Sequence, residues 1–266
     1  MDEKLFYNSY RDNRGLADLM PTFDNQRELF ECLFKNGDNF LLSQGISVLT
    51  LRLILAQDAF RKLQDYELDL IRKPGSYSVN FEVAGFGSSV YVLTPAQGFI
   101  GDVLKRESVR AHEYFYAFLS SSASILDRLA HEINHLYKLG IDIDRVDWRS
   151  LHNKYSVLEK SNLALKSYLE MSSKDKNPQI KLLLDYRDVT EHHGAVKIEE
   201  FSDREIVISN TYCIKVQSDP RDANSPADIA LIKTCREFFF LITKICNDVY
   251  GYTISDIKTA TISDVK

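Results

Sequence analysis

The chain has 266 residues, of which 44% are hydrophobic and 27% charged, and its formal net charge at pH 7 is −5. This composition is typical of a globular protein, and no stretch approaches the roughly 18 consecutive apolar residues that would cross a bilayer. Proteins that coat long nucleic acids carry a strong excess of lysine and arginine, which is absent here. We therefore expect no membrane segment. We also expect that any action on RNA takes place in a small basic pocket and not along an extended basic surface.

The N-terminus and the cysteines indicate the compartment. The first residues, Met1 to Phe6, are acidic and lack the basic start and apolar run of a secretory signal. No CxxC pair occurs among the four cysteines, which are Cys32, Cys213, Cys235 and Cys246. In a reducing compartment, scattered cysteines are typically buried apolar residues rather than disulfides or a zinc cluster. The sequence therefore predicts a cytoplasmic protein.

The first hundred residues predict a smaller α+β region. Residues 1–24 show no clean period and are interpreted as an irregular arm, and two helical patterns follow over 25–70. The second pattern is rich in β-branched residues, which leaves a strand open as an alternative. After a Lys-Pro-Gly turn, alternating residues over 77–83 and 90–93 predict a β-hairpin. A boundary near residue 100 makes residues 1–100 an N-terminal accessory region.

Long helical patterns dominate the rest of the chain. Helices are predicted over about 103–139, 148–171, 178–193 and 226–250, and a β-hairpin over 196–216 separates the last two. Glycines follow the first and third helices, and a proline begins the third. The predicted fold class is mainly α.

The predicted architecture is an up-and-down four-helix bundle with a β-hairpin insertion. It occupies residues 101–254 and follows the smaller N-terminal region. Residues 255–266 are expected to form a flexible tail.

The most informative motif lies at the end of the third predicted helix, where Arg187-Asp188-Val-Thr-Glu-His192 occurs. On a helical wheel, Arg187 and His192 flank one outward face, which also holds Leu184. Asp188 precedes His192 by four residues, so its carboxylate can hold the imidazole and favour its protonated form. A guanidinium that holds a phosphate beside an imidazole that transfers protons suits a phosphate substrate.

The run Leu-Leu-Leu-Asp-Tyr-Arg187-Asp188-Val-Thr-Glu-His192 resembles the Arg-x4–6-His signature of the HEPN superfamily (higher eukaryotes and prokaryotes nucleotide-binding). The resemblance covers about residues 103–252. For catalytic members it implies a homodimer whose two motifs share a cleft and cleave RNA without a metal, here in toxin–antitoxin or antiphage defence. It implies that Arg187 stabilises charge on the phosphorane and His192 transfers protons. Members often have asparagine after the arginine, where this chain has Asp188.

An alternative is a non-catalytic module that binds nucleotide, RNA or a protein partner, such as an antitoxin, through the same cleft. Neither hypothesis calls for a cofactor. A third interpretation gives the motif no function, because Arg187 with Glu191, and Asp188 with His192, can form ordinary surface ion pairs. Loss of His192 distinguishes the first two hypotheses, since a catalyst needs the imidazole and a binding module tolerates its removal.

A competing motif is His131-Glu-Ile-Asn-His135, which matches the H-E-x-x-H pattern of zinc hydrolases. There the two histidines bind the metal and the glutamate activates its water. Both histidines lie opposite the apolar stripe of their helix and could chelate. No third ligand follows at the expected spacing, and Glu159 and His152 are candidates only by availability. The simpler interpretation is the polar face of an amphipathic helix.

Overall fold

The structure is a computed structural model, and it describes residues 28–29, 47–72, 80–82, 91–92, 99–193, 196–202 and 212–263. Within these residues the chain is mainly helical, with one antiparallel sheet. No helix in this part of the chain is both long enough and apolar enough to cross a membrane. The predicted arm over 1–24 lies outside the described residues.

The described α-helices are numbered in chain order. They are α1 (Ser47–Arg72), α2 (Phe99–Leu136), α3 (Tyr155–Ser161), α4 (Leu163–Met171), α5 (Pro178–Asp188) and α6 (Leu231–Ser263). Two short 3-10 segments, Ile143–Arg145 and Ser150–Lys154, lie between α2 and α3, and a π-helical turn, Val189–His193, follows α5. The segment for which a strand was left open is therefore helical, as α1.

The long helix α2 ends at Leu136, before the end predicted at 139, and Lys138 takes the left-handed φ of 49° that closes it. Gly140 has a positive φ of 69°, the left-handed conformation that glycine adopts without strain. The Asn134 side chain donates to the Ile141 carbonyl at 3.0 Å and accepts from the Ile141 N–H at 3.1 Å. These two bonds satisfy backbone groups just beyond the helix.

The second predicted helix, over 148–171, is wrong as a continuous element. A 3-10 segment replaces its beginning, and Asn162 divides the remainder into α3 and α4. Asn162 has a non-helical backbone, and its side chain accepts a hydrogen bond from the Leu165 N–H at 2.8 Å. Asparagine is a favourable N-cap, so a new helix begins there.

The strands form one antiparallel sheet in the order β2-β1-β3-β4-β5. They are β1 (Asn80–Glu82), β2 (Tyr91–Val92), β3 (Ile198–Ser202), β4 (Tyr212–Gln217) and β5 (Ala227–Ala230). Both predicted hairpins are present, as β1 with β2 and β3 with β4, and pairing of β1 with β3 joins them.

The C-terminal prediction needs two corrections. The helix expected over 226–250 begins only at Leu231, because β5 precedes it and pairs with β4. The tail expected over 255–266 is helical as far as Ser263, and residues 264–266 lie outside the described part. Thr253 and Ile254 are buried directly before the predicted tail, and the helix continues from them without a break.

Contacts divide the chain into two compact units. The site unit comprises Thr50–Asp127 and Ser173–Phe239, and the second unit comprises Met1–Leu49, Arg128–Ser172 and Phe240–Lys266. The site unit includes most of α1 and the whole described sheet. Its contacts therefore do not follow the boundary predicted near residue 100.

Aromatic rings connect the helices of the site unit. Tyr186 of α5 lies 5.6 Å from Phe115 of α2 and 6.2 Å from Phe238 of α6, both in edge-on geometry. Phe60 of α1 lies 6.1 Å from Phe118 of α2. All five residues are fully buried, and aromatic contacts of this kind contribute about 0.5–1.5 kcal/mol beyond area burial. This core fixes the position of α5.

The second unit has a smaller core around α3 and α4. The indole Nε1 of Trp148 donates to the Ser172 carbonyl at 3.1 Å, which fixes the two ends of this segment. Tyr168 packs against Tyr252 of α6 at 5.4 Å.

Candidate functional site

Helix α5 carries the predicted motif, and its beginning is well defined. Asn177 is the N-cap, and its side chain accepts from the N–H groups of Gln179 and Ile180. Pro178 follows at the first position, where a missing N–H has no cost. The start predicted at Pro178 is confirmed.

The body of α5 is more deeply buried than an amphipathic surface helix. Four successive residues, Leu183 to Tyr186, are buried, and so is Ile180 one turn earlier. The wheel placed Leu184 on the outward face, which is wrong, because Leu184 is only 1% exposed. Arg187, which is half-buried, therefore follows directly on the most deeply buried part of the helix.

The helix changes its hydrogen-bonding pattern directly after Asp188. The Val189–His193 turn is π-helical, with bonds from residue i to i+5 instead of i+4. The sequence predicted an α-helix through His193, and an α-helical wheel does not apply to this wider turn. Gly194, the expected cap, lies outside the described residues. Single π turns of this type occur frequently at functional sites.

Two carboxylates hold the Arg187 side chain. Its Nε donates to Glu191 Oε2 at 2.9 Å, and its Nη1 lies 3.4 Å from Asp127 Oδ2 on α2. Glu191 belongs to the same helical stretch, whereas Asp127 comes from a different helix. The guanidinium is half-buried and oriented by both.

Asp188 has a partner that the sequence did not indicate. Its Oδ2 accepts from Arg221 Nη2 at 3.2 Å, and Arg221 lies in the loop between β4 and β5. The expected role of Asp188 was to hold His192. Pairing with Arg221 means that its charge is balanced from another element.

Asp185 is the centre of a network that sequence reasoning missed. The same oxygen, Oδ1, accepts from Lys174 at 2.7 Å and from Arg221 at 2.8 Å. Burial acts to raise the pKa of Asp185, but the bonds from Arg221 and Lys174 outweigh it and lower that pKa below its usual value. The pKa of Arg221 is raised mainly by its bond to Asp185. One signal was available, because Asp185 is an acid inside the apolar run Leu-Leu-Leu-Asp-Tyr.

His192 is the most accessible member of the motif, with 67% of its side chain exposed. Its Nε2 lies 4.0 Å from Glu191 Oε2, at the limit of an ion pair. Arg187 and His192 thus share Glu191 as a neighbour. The structure places all three predicted residues, Arg187, Asp188 and His192, on the end of α5 and the π turn.

Charges around the motif are nearly balanced. The cations are Lys174, Arg187 and Arg221, and the carboxylates are Asp127, Asp185, Asp188 and Glu191. With a neutral His192 this set is acidic by one charge, and protonation of the imidazole makes it neutral.

The zinc motif has a different geometry from the one its chemistry requires. Glu132 is 3% exposed, and burial raises its pKa to about 8, against the smaller opposing effects of Tyr250 and Arg128. A glutamate that activates a metal-bound water has to reach that water beside the two histidines, and the Glu132 side chain is buried instead. Across the described residues, no group of three histidine, cysteine or carboxylate side chains is arranged to hold a metal ion. A third ligand for His131 and His135 is therefore not found in this part of the chain.

No family model, curated protein or solved structure matches the chain.

Proposed function

We propose that the chain is a metal-independent endoribonuclease of HEPN type, with its site at Arg187 and His192. The observation that carries the proposal is that α5 is buried from Leu183 to Tyr186, and that the end of the helix and the π turn after it bear an oriented arginine and an accessible histidine. An ordinary polar helix face would need neither the burial nor the change of hydrogen-bonding pattern.

The proposed reaction is a transesterification within RNA. His192 takes the proton of a ribose 2′-hydroxyl, whose oxygen forms a bond to the adjacent phosphorus, and the bond from phosphorus to the 5′ oxygen breaks. The leaving oxygen receives a proton from an imidazolium, supplied by the second motif of a homodimer. Arg187 stabilises the additional charge on the phosphorane through charge-assisted hydrogen bonds. The products are a 2′,3′-cyclic phosphate and a 5′-hydroxyl.

The ion pairs that Arg187 forms with carboxylates are weak enough for a phosphate to replace one of them. The Arg187–Glu191 pair is an i,i+4 pair at the surface, and such pairs contribute only about 0.3–0.5 kcal/mol. A phosphate that accepts two hydrogen bonds from the guanidinium offers a stronger interaction. Glu191 is then displaced, while Asp127 continues to orient the side chain.

The test is cleavage of a structured RNA by the purified protein, with and without EDTA. We expect chelator-resistant cleavage by the wild type, with losses of about 100-fold or more for His192→Ala and Arg187→Lys. Arg187→Lys keeps the charge and removes the two-pronged geometry. His135→Ala is the matched control, because it removes an exposed histidine outside the motif.

Two outcomes would contradict the proposal. Cleavage that EDTA abolishes together with loss through His135→Ala would favour the zinc hydrolase. Cleavage unaffected by His192→Ala would show that the activity does not come from this motif. Sedimentation adds a further check, since a strictly monomeric protein lacks the second motif.

A second candidate is a non-catalytic module of the same superfamily that binds nucleotide, RNA or a protein antitoxin. The observation that favours it is the acidic environment of Arg187, which has Glu191 and Asp127 as direct partners and Asp188 beside it. This module would bind its ligand equally well after His192→Ala and lose binding after Arg187→Ala.

A further inference from the structure

Arg221 contacts the motif from outside α5, and the structure suggests what it does there. With a single nitrogen, Nη2, it donates to Asp188 Oδ2 at 3.2 Å and to Asp185 Oδ1 at 2.8 Å. We propose that Arg221 is a positioning residue that neutralises Asp188, so that a phosphodiester can approach Arg187. This inference rests on the proposed function, because it concerns the same site.

The need for such a residue follows from the order of the chain. Asp188 is adjacent to Arg187, and an unbalanced carboxylate at this position would repel any phosphate that Arg187 attracts. Asp188 is only 18% exposed, so water screens its charge weakly. Arg221 supplies the opposite charge at hydrogen-bond distance.

The loop that carries Arg221 is held by its own hydrogen bonds. The Arg221 N–H donates to Asp219 Oδ1 at 2.9 Å, the Asp219 N–H donates to Ser225 Oγ at 2.9 Å, and Ser225 Oγ lies 2.8 Å from Ser218 Oγ. These bonds restrict the loop backbone before any ligand arrives. Arg221 therefore reaches α5 from a structured support.

Lys174 offers a matched control for this role. It also donates to Asp185 Oδ1, at 2.7 Å, but among the contacts of the described residues it reaches Asp185 alone. Lys174→Gln therefore removes a cation from the same buried carboxylate without removing the partner of Asp188. A purely structural role predicts similar effects for Arg221→Gln and Lys174→Gln, whereas the positioning role predicts different ones.

The experiment measures binding of a fluorescent 2′-O-methyl RNA oligonucleotide, which lacks the attacking hydroxyl and cannot be cleaved. We expect Arg221→Gln to weaken binding by about tenfold, because an unbalanced Asp188 beside Arg187 repels the phosphate, and Lys174→Gln to change it by less than about threefold. The double variant Arg221→Gln/Asp188→Asn should recover most of the loss, because the charge to be balanced is gone. Urea unfolding of each variant identifies any that fail to fold.

The outcomes separate this inference from the ribonuclease proposal. Equal weakening by both single variants, no recovery in the double variant, or no binding by the wild type overturns the positioning role. A wild type that binds the oligonucleotide with the expected pattern but does not cleave natural RNA overturns the ribonuclease and leaves the positioning role standing. Cleavage of natural RNA that Arg221→Gln leaves unchanged supports the ribonuclease and overturns the positioning role.

Discussion

Asp185 of the site unit and Glu132 of the second unit are both buried acids on α-helices, with 5% and 3% of their surface exposed. Their environments shift the pKa values of the two carboxyl groups in opposite directions. Lys174 and Arg221 donate to Asp185 and lower its pKa, whereas burial dominates at Glu132 and raises its pKa to about 8. Asp185 is therefore ionised at neutral pH, and Glu132 is mostly protonated.

The two acids differ in which elements supply the cations around them. The two cations on Asp185 come from outside α5, one from the turn before it and one from the β4–β5 loop. Among the described residues, the groups that favour the ionised form of Glu132 are the Tyr250 hydroxyl and Arg128, which lies one turn away on the same helix. A buried charge persists where other elements supply counter-charges, and it is lost where burial acts nearly alone.

The largest predicted effect concerns Glu132. A carboxyl group with a folded pKa of about 8 and an ordinary value of 4.5 contributes stability that is complete below pH 4.5 and is lost as the pH rises through 8. Relative to Glu132→Gln, the wild type should therefore lose about 3 kcal/mol of unfolding free energy between pH 5 and pH 8. Urea unfolding at several pH values measures this difference.

The slope with pH is the diagnostic quantity for Glu132. A buried glutamine has its own hydrogen-bonding needs, but these add an offset that does not vary with pH. Glu159→Gln makes the same chemical change at an exposed position and should give a curve parallel to the wild type. Parallel curves for Glu132→Gln as well would show that Glu132 is ionised in the folded state, and the comparison with Asp185 would fail.

A smaller loss is predicted for Asp185→Asn. This change removes the charge that Lys174 and Arg221 share, and we expect the unfolding free energy to fall by about 2 kcal/mol at pH 7, since both cations can partly return to water. A depressed folded pKa contributes stability above pH 3.8 that disappears as the pH falls through the folded value. The difference between wild type and variant should therefore narrow below pH 3.8.

The exposed Asp175 provides the control for this measurement. Asp175→Asn makes the same chemical change in the neighbouring turn and should alter the unfolding free energy by no more than about 0.5 kcal/mol. An equally small effect of Asp185→Asn would mean that its two cations only offset the cost of burial. The network would then serve to position Arg221 and would not stabilise the fold.

The sequence predicted the elements whose signals are local. Pro178 begins α5, because it acts on its own stretch of backbone, whereas Gly140 lies in the turn after α2, which ends earlier, at Leu136. Strand β5 was missed because it is defined by pairing with β4 across a turn. The π turn after Asp188 has no local signature in the pattern, so an α-helix was extended through it.

For the candidate site, too, the sequence predicted the local features and missed the long-range ones. Arg187, Asp188 and His192 were identified from one short motif, but their partners were not. Arg221 meets Asp185 from 36 residues away along the chain, and Asp127 meets Arg187 from 60 residues away. Contacts at such separations depend on the tertiary fold, and neither periodicity nor spacing encodes them.

The smallest predicted effect on stability is that of Glu191, a more exposed carboxylate than the buried Asp185 and Glu132. Its i,i+4 pair with Arg187 should contribute less than about 0.5 kcal/mol, so Glu191→Gln should unfold at almost the same urea concentration as the wild type. Glu237→Gln is the matched control, because Glu237 forms an exposed i,i+4 pair with Lys233 on α6.

Glu191 should nevertheless affect binding more than its stability contribution suggests. Its carboxylate competes with a phosphate for Arg187 Nε, so its removal should tighten binding of the 2′-O-methyl oligonucleotide by about threefold or more, while Glu237→Gln leaves binding unchanged. Weaker binding after Glu191→Gln would mean that the pair orients Arg187 for its ligand. Tighter binding would identify Glu191 as a competitor that keeps the arginine occupied until a phosphate arrives, which a buried partner such as Asp185 could not do without a cost to the fold.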